Sequence, residues 1–323
     1  MNTAEMLAEF RNLRVLVVGD VCLDRWCRYD PELADPSRET GIPRIGVVFT
    51  EVTPGAAGTV AANVAALGGR VSVLGATGED GFGYELRGAL DRRGIAHDLL
   101  LRSREIATFT YTKLIRAQTG VEDLPRVDFV NTMPLPPPID VELVRRLGHV
   151  APEFDVVIVS DQAETAQGGV VTPAMRQELE RIATAHRNLV VWVDSRMRAE
   201  LFRHVVVKPN RHEADEACLR ALGRVDYAAL RRHLEAPLLV VTHGGEGAEV
   251  IDVNGSTWVP TRRVEHPVDV CGAGDSFTAG AALALKVTRD PLAAVQFGNL
   301  VASITIMKKG TGTASPEELN GLA

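Results

Sequence analysis

The chain has 323 residues, of which 46% are hydrophobic and 24% charged, and its formal net charge is −7. That length suits a large α/β domain able to bury its own core, and the acidic balance lacks the basic footprint of a nucleic-acid binder. No apolar run reaches the eighteen residues of a membrane helix, and "MNTAEMLAEFRNLR" has no apolar leader core, so a cytoplasmic protein without nucleic-acid or membrane partners is expected.

The apolar run "RVLVVGD" (14–20) predicts a strand buried on both faces that delivers Asp20 at its C-terminal tip. Residues 28–53 are Pro-rich and end in a β segment. "AAGTVAANVAALGG" (56–69) has helical spacing. "RVSVLGATGEDGFG" (70–83) is a short strand running into a glycine turn, and "GYELRGALDRRG" (83–94) is an amphipathic helix stopped by Gly94. Residues 106–130 contain the alternating "TFTYTKLI", a strand open to water on one face. This segment and 28–53 are expected to pair as a small β lid outside the main sheet. "NTMPLPPPID" (131–140) reads as a stiff connector.

The second half repeats the alternation. "DVVIVSD" (155–161), "LVVWVDS" (189–195) and "HVVVKPN" (204–210) are strands, with helices at "TPAMRQELERIATAHR" (172–187) and "RHEADEACLRAL". "PLLVVTHGGEGA" (237–248) is a strand and a glycine turn, and "SFTAGAALALKV" and "PLAAVQFGNLVASITIM" are the last helices. Alternating strands and helices predict an α/β fold of three layers, α/β/α, with a mostly parallel central sheet. Its sites should gather at the C-terminal tips of the strands.

One tip stands out. In "DVCGAGDSF" (269–277), Gly272, Ala273 and Gly274 bring bare backbone to a helix start. N–H groups there lack helical partners and face the positive end of the dipole, so they suit a phosphate. Asp275 beside them makes sense as a base for a nucleophile attacking that phosphate; otherwise it is a helix N-cap. Asn210 and Glu213 in "KPNRHEAD" suit a hydrated Mg²⁺, or simply a capping box. Thr242, Gly244 and Gly247 suit a phosphate or ribose, or form a plain turn. Asp20 and Asp24 suit sugar hydroxyls, or are a cap and a surface acid. The P-loop, the GxGxxG fingerprint after the first strand, the GxSxG elbow, HExxH and the protein-kinase signature set are all absent. The eight histidines, His212 and His243 among them, form no ligand pattern. Cys22, Cys27, Cys218 and Cys271 show no CxxC pairing, and reduced thiols are expected.

Together these motifs resemble the ribokinase-like (PfkB) carbohydrate kinases, from "VVGDVCLD" to "KKGTGTASPEEL". "DVCGAGDSF" is similar to that family's C-terminal signature, "GEDGFG" (78–83) to its second glycine motif, and "KPNRHEAD" to its Asn-x-x-Glu motif. Within the family, "VLVVGDVCLDRW", "PGAAGTVAANVAALGG", "PRVDF" and "GTGTASPEEL" resemble the heptose 7-phosphate kinase domain of bifunctional ADP-heptose synthesis proteins.

The resemblance implies a single kinase domain over 1–323 that uses ATP and Mg²⁺. Asp275 would be the catalytic base, and the N–H groups of Gly272, Ala273 and Gly274 the anion hole. Asn210 and Glu213 would organise Mg²⁺, and Thr242, Gly244, Gly247 and Asn299 would line the ATP site. Asp24 and the turn at Gly55 would face the sugar. Asp269 and the "GTGT" loop (310–313) mark where relatives hold a monovalent cation, so K⁺ is implied. The lid would close on the sugar and build a homodimer. Lys113, Arg116 and Arg126 in the lid could hold an anionic group on the sugar, or form a solvated edge.

The chain also departs from the family pattern. Ala56 stands at a glycine position and Thr59 where a sugar-binding Asn is expected, with Asn63 one helical turn later. "SDQAETAQGG" lacks the heptose kinase lysine, "DSRM" replaces Asp-Pro-Lys, and Cys271 replaces a Thr. No HxGH-type nucleotidyltransferase motif is present, so a stand-alone kinase is expected. A nucleoside kinase on the same fold, or a sugar- or nucleotide-binding module without turnover, are the alternatives.

Overall fold

The computed structural model describes residues 1–165 and 167–321; Ala166, inside "SDQAETAQGG", lies outside the described residues, as do Leu322 and Ala323. A short helix α1 (Thr3–Phe10), closed by an Asn2–Glu5 capping box, leads into β1 (Arg14–Gly19). The first half continues through β2 (Val21–Asp30), β3 (Gly46–Ala56), α2 (Ala57–Ala66), β4 (Arg70–Gly78) and α3 (Gly81–Asp91), then β5 (Leu100–Ser103), β6 (Thr110–Arg116) and β7 (Val127–Phe129). The second half runs α4 (Pro137–Val150), β8 (Val156–Asp161), α5 (Pro173–Ala185), β9 (Val190–Ser195), β10 (Val206–Val207), α6 (Arg211–Leu222) and α7 (Tyr227–His233). It ends with β11 (Leu239–Thr242), β12 (Gly247–Asp252), β13 (Gly255–Pro260), α8 (Ala273–Thr288), α9 (Pro291–Thr305) and α10 (Pro316–Asn320).

The main sheet has the order β13-β12-β11-β10-β9-β8-β1-β4-β5. From β5 to β11 every pairing is parallel; β12 and β13 add antiparallel edges. Alternation along β1 shows how one strand serves two cores. Val15 and Val17 pack with α1, α2, α8 and α9, while Leu16 and Val18 pack with α4, α5 and α6. Each such fully buried side chain contributes about 2 kcal/mol of apolar burial.

The lid is a second sheet of order β3-β2-β6-β7. It begins earlier than expected, at Val21 rather than residue 28, because β2 follows β1 after a single residue. Gly19 makes that exit (φ 145°): a Cβ there would lie 2.0 Å from Ser160 O. The two lid segments share the sheet, yet β2 lies between them, antiparallel to β3 and parallel to β6. Three further expectations need correction. The Pro-rich connector passes into α4 at Pro137, since proline is at home in a first helical turn. "HVVVKPN" shortens to a two-residue strand. The glycine turn after β11 opens an unanticipated hairpin, β12–β13.

Candidate active site

Three things meet at the C-terminal tips of the strands: the lid, the loops after β8 and β9, and the start of α8. Gly272 is the N-cap of α8, at φ 77°, with no side-chain cap. The capping alternative for Asp275 therefore does not hold; its carboxylate belongs to the first helical turn and caps nothing. Gly272 sits between two threonines, since a Cβ there would lie 3.3 Å from Thr311 and 3.4 Å from Thr59. The Ala273 N–H is directed to Val270 O at 3.2 Å. Among the described residues, the Gly272 and Gly274 N–H groups have no such partner, so two of the three expected donors are unpartnered at this helix start and the third is engaged by Val270.

This first turn separates two cavities. The lid-side cavity, about 170 Å³, is lined by Asp24, Trp26, Tyr111, Lys113 and Arg126 from the lid, Ala56 and Thr59 at α2, Gln162, Glu164 and Arg196 from the strand tips, and Cys271, Gly272, Asp275 and Thr311. The outer cavity, about 260 Å³, holds Thr242, Gly244, Gly247 and Asn299 together with Ala273 and Gly274. Its walls include Val264, Pro267, Val270, Phe277, Ala302 and Ile306, an apolar slot of the kind that accepts a flat ring.

Two of the acids lining the lid-side cavity have strongly raised pKa values; a third raised acid, Asp20, lines neither cavity. Enclosure by protein, reinforced by the charge of Asp194, pushes the Asp275 carboxyl up to about 8, with Lys208 acting the other way. Asp24 is pushed up to about 6, again mainly by desolvation, against the pull of Lys113 and Arg126. Gly55 does not line the cavity; it makes room, since a Cβ there would lie 2.5 Å from the Asp24 carboxylate. Carboxylates held near neutral pH beside a cleft are the ordinary mark of acid–base chemistry.

Other expected residues lie elsewhere. Asp20 is buried beneath the loop after β8, where it accepts N–H bonds from Gln162 (3.0 Å), Ala163 (2.8 Å) and Val170 (2.9 Å). Both of its carboxylate oxygens accept from backbone N–H groups, and the side chain lines neither cavity, so it does not face a bound sugar there. Asn63 is buried in α2 and donates to Thr59 O at 3.0 Å. Arg116 turns away to Asp123 at 2.7 Å. Asn210 and Glu213 form a reciprocal capping box at α6, which occupies one Glu213 oxygen. The other makes no hydrogen bond among the described residues. Asp269 accepts from Cys271 N and Gly310 N, tying the approach to α8 to the "GTGT" loop.

Sequence reasoning passed over Arg196, Glu164, Gln162, Trp26, Tyr111 and Thr311 as cavity residues, and the buried Lys208–Asp194 pair (2.9 Å) behind α8. The strand-tip rule offered a signal for the first three, which directly follow β8 and β9. Tyr111 lies in the alternating lid strand and Thr311 in the "GTGT" loop, but neither pattern says that the side chain reaches the cavity.

The family model described as pfkB family carbohydrate kinase matches residues 12–318. The chain is 32% identical over 331 residues to "Bifunctional protein HldE" of Caulobacter sp. (strain K31), covering 99% of this chain and 64% of that protein. It is 33% identical over 326 residues to the protein of that name in Methylococcus capsulatus, covering 97% and 64%. The chain thus spans somewhat less than two thirds of these relatives' length. Among solved structures, ribokinase of Thermotoga maritima superposes with a TM-score of 0.70 at 20% identity, covering 96% of this chain and 98% of that one. Phosphofructokinase-2 of Escherichia coli, solved in complex with potassium, gives 0.71 at 19%, covering 96% and 97%. The fold is ribokinase-like.

Proposed function

The chain belongs to the pfkB family of carbohydrate kinases and is a sugar kinase; on that premise we propose that it moves the γ-phosphoryl group of ATP to a hydroxyl of a sugar phosphate, with a heptose 7-phosphate-like acceptor favoured. One observation carries this reading: the first turn of α8 stands between two cavities, with Asp275 on the lid side and Ala273 and Gly274 on the other. A nucleotide in the outer cavity would point its phosphates at the α8 N-terminus. An acceptor under the lid would present its hydroxyl to Asp275. Asp275 takes the hydroxyl proton as the oxygen attacks phosphorus, and the unpartnered N–H groups steady the charge on the transferring oxygens.

Mg²⁺ would neutralise phosphate charge during transfer. Glu213 and, through water, Asn210 are the residues suited to hold it. A Mg²⁺ held by one carboxylate and phosphate oxygens would keep most of its waters. Asp269 and the "GTGT" loop are where K⁺ would bind. The lid carries exposed Val47, Val48 and Phe49 on β3 and Val127 and Phe129 on β7. These apolar side chains lie on the two edge strands of the lid sheet, and their exposure supports a homodimer built through a lid edge. Sedimentation should then find dimers that Phe49→Asp splits; a wild-type monomer at micromolar concentration would remove the dimer from this reading.

Lys113, Arg126 and Arg196 in the lid-side cavity favour a phosphorylated sugar over an uncharged nucleoside. The test is ATP consumption against a panel of hexoses, pentoses, heptose 7-phosphate, other sugar phosphates and nucleosides. Turnover is expected with a sugar phosphate. Turnover confined to nucleosides would transfer the assignment to the nucleoside kinases, and silence across the panel with ATP bound would favour a binding module.

A further inference from the structure

Four cationic side chains line the lid-side cavity: Arg25, Lys113, Arg126 and Arg196. Three are balanced from outside it. Arg25 faces Glu85 at 3.3 Å, Lys113 faces Glu122 at 3.5 Å, and Arg126 is gripped by Asp128 through two bonds of 2.7 Å. None of those three carboxylates lines the cavity. Arg196 differs, because its partner Glu164 is part of the same cavity wall. Among the described residues this is the ion pair whose two members both face an incoming acceptor.

The backbones that carry the pair are fixed. Arg196 N donates to Asp161 O at 3.0 Å. Glu164 follows Ala163, whose N–H is held by Asp20 at 2.8 Å and whose C=O accepts from Arg198 at 3.2 Å. The side chains themselves are half exposed, 49% for Arg196 and 53% for Glu164. A solvated pair of this kind is worth little, so breaking it is cheap. A phosphate dianion offers a guanidinium more than a single carboxylate does, because it brings more charge and more acceptor oxygens to the same fork. A neutral sugar offers neither and leaves the pair closed.

We propose that Arg196 receives the anionic group of a phosphorylated acceptor and that Glu164 is the counter-ion it releases in exchange. This rests on the kinase reading above and names what selects among its acceptors. Glu164, once released, swings to water. The ion pair thereby separates phosphorylated sugars from their neutral parents.

Calorimetric binding of two probe pairs tests this: glucose 6-phosphate against glucose, and sedoheptulose 7-phosphate against sedoheptulose. Wild type, Arg196→Met, Arg196→Lys and Glu164→Gln are compared. Arg196→Met should weaken the phosphorylated probes about 10- to 100-fold, the range of a charge-assisted hydrogen bond, and leave the neutral ones unchanged. Arg196→Lys should keep part of the preference, and Glu164→Gln should strengthen phosphosugar binding by removing the competitor. Equal losses for both members of a pair in Arg196→Met, or no loss, would overturn the proposal. So would a wild-type protein that binds neither phosphosugar better than its parent. Turnover separates the two readings. Intact exchange without turnover of any acceptor would remove the kinase and keep the exchange. Turnover of a phosphosugar with discrimination unaltered in Arg196→Met would do the reverse.

Discussion

Asp275 combines a place in the first turn of α8 with a carboxyl held near pH 8 by its surroundings. A base at this position would work only when ionised, so the proposed role requires kcat/KM to rise with pH through a limb near 8 in the free enzyme. A limb at ordinary carboxylate values would contradict the electrostatic account. The stability sign runs the other way. A raised folded-state pKa favours the protonated form, so this group's contribution is present below the unfolded pKa and is lost as pH rises toward 8. Asp275 and the glycines before it were legible in the sequence because a Gly-Ala-Gly run at the head of a helical stretch exposes backbone N–H donors directly beside a carboxylate. Asp20 was misread for a physical reason: a strand-tip carboxylate has the same letters whether it faces a ligand or three backbone N–H groups. Ala56 shows a subtler case. It holds φ 50° and ψ −118°, a conformation glycine adopts without strain, at the position where the family pattern has glycine.

Whole elements were legible where periodicity and punctuation agree. The helix "RHEADEACLRAL" matches α6 residue for residue, because Asn210 opens it and Gly223, at φ 72°, closes it. The lid boundary was not legible, since the residues of β2 continue the apolar run of β1 and only the conformation of Gly19 marks the departure. At this scale Asp20 becomes a clamp: its carboxylate holds the loop after β8, which carries Gln162 and Glu164 into the cavity. Asp20→Ala would leave the buried N–H groups of Ala163 and Val170 and the half-buried one of Gln162 unpaired. At about 1 kcal/mol or more for each, offset in part by removal of a carboxyl that burial pushes up to about 6, unfolding free energy should fall by about 1 to 3 kcal/mol. A denaturation midpoint equal to wild type would show that the loop finds other partners.

For the molecule as a whole, the sheet supplies a rigid floor, the lid a roof, and α8 the partition between two cavities. No helix among the described residues is long and apolar enough to cross a membrane. The layered architecture followed from the strand–helix alternation, whereas the contents of the cavities did not. Arg196 and Glu164 come from separate loops, Tyr111 and Trp26 from paired lid strands, and only the closed topology brings them together. The proposed role of Asp275 is proton removal at the junction of the cavities, not support of the fold or of the nucleotide. The direct test measures acceptor-dependent ATP turnover, ATP affinity and melting temperature in Asp275→Asn beside wild type. Turnover should fall by about 10²-fold or more, with ATP affinity and folding retained. An Asp275→Asn protein that phosphorylates its acceptor at the wild-type rate would contradict it.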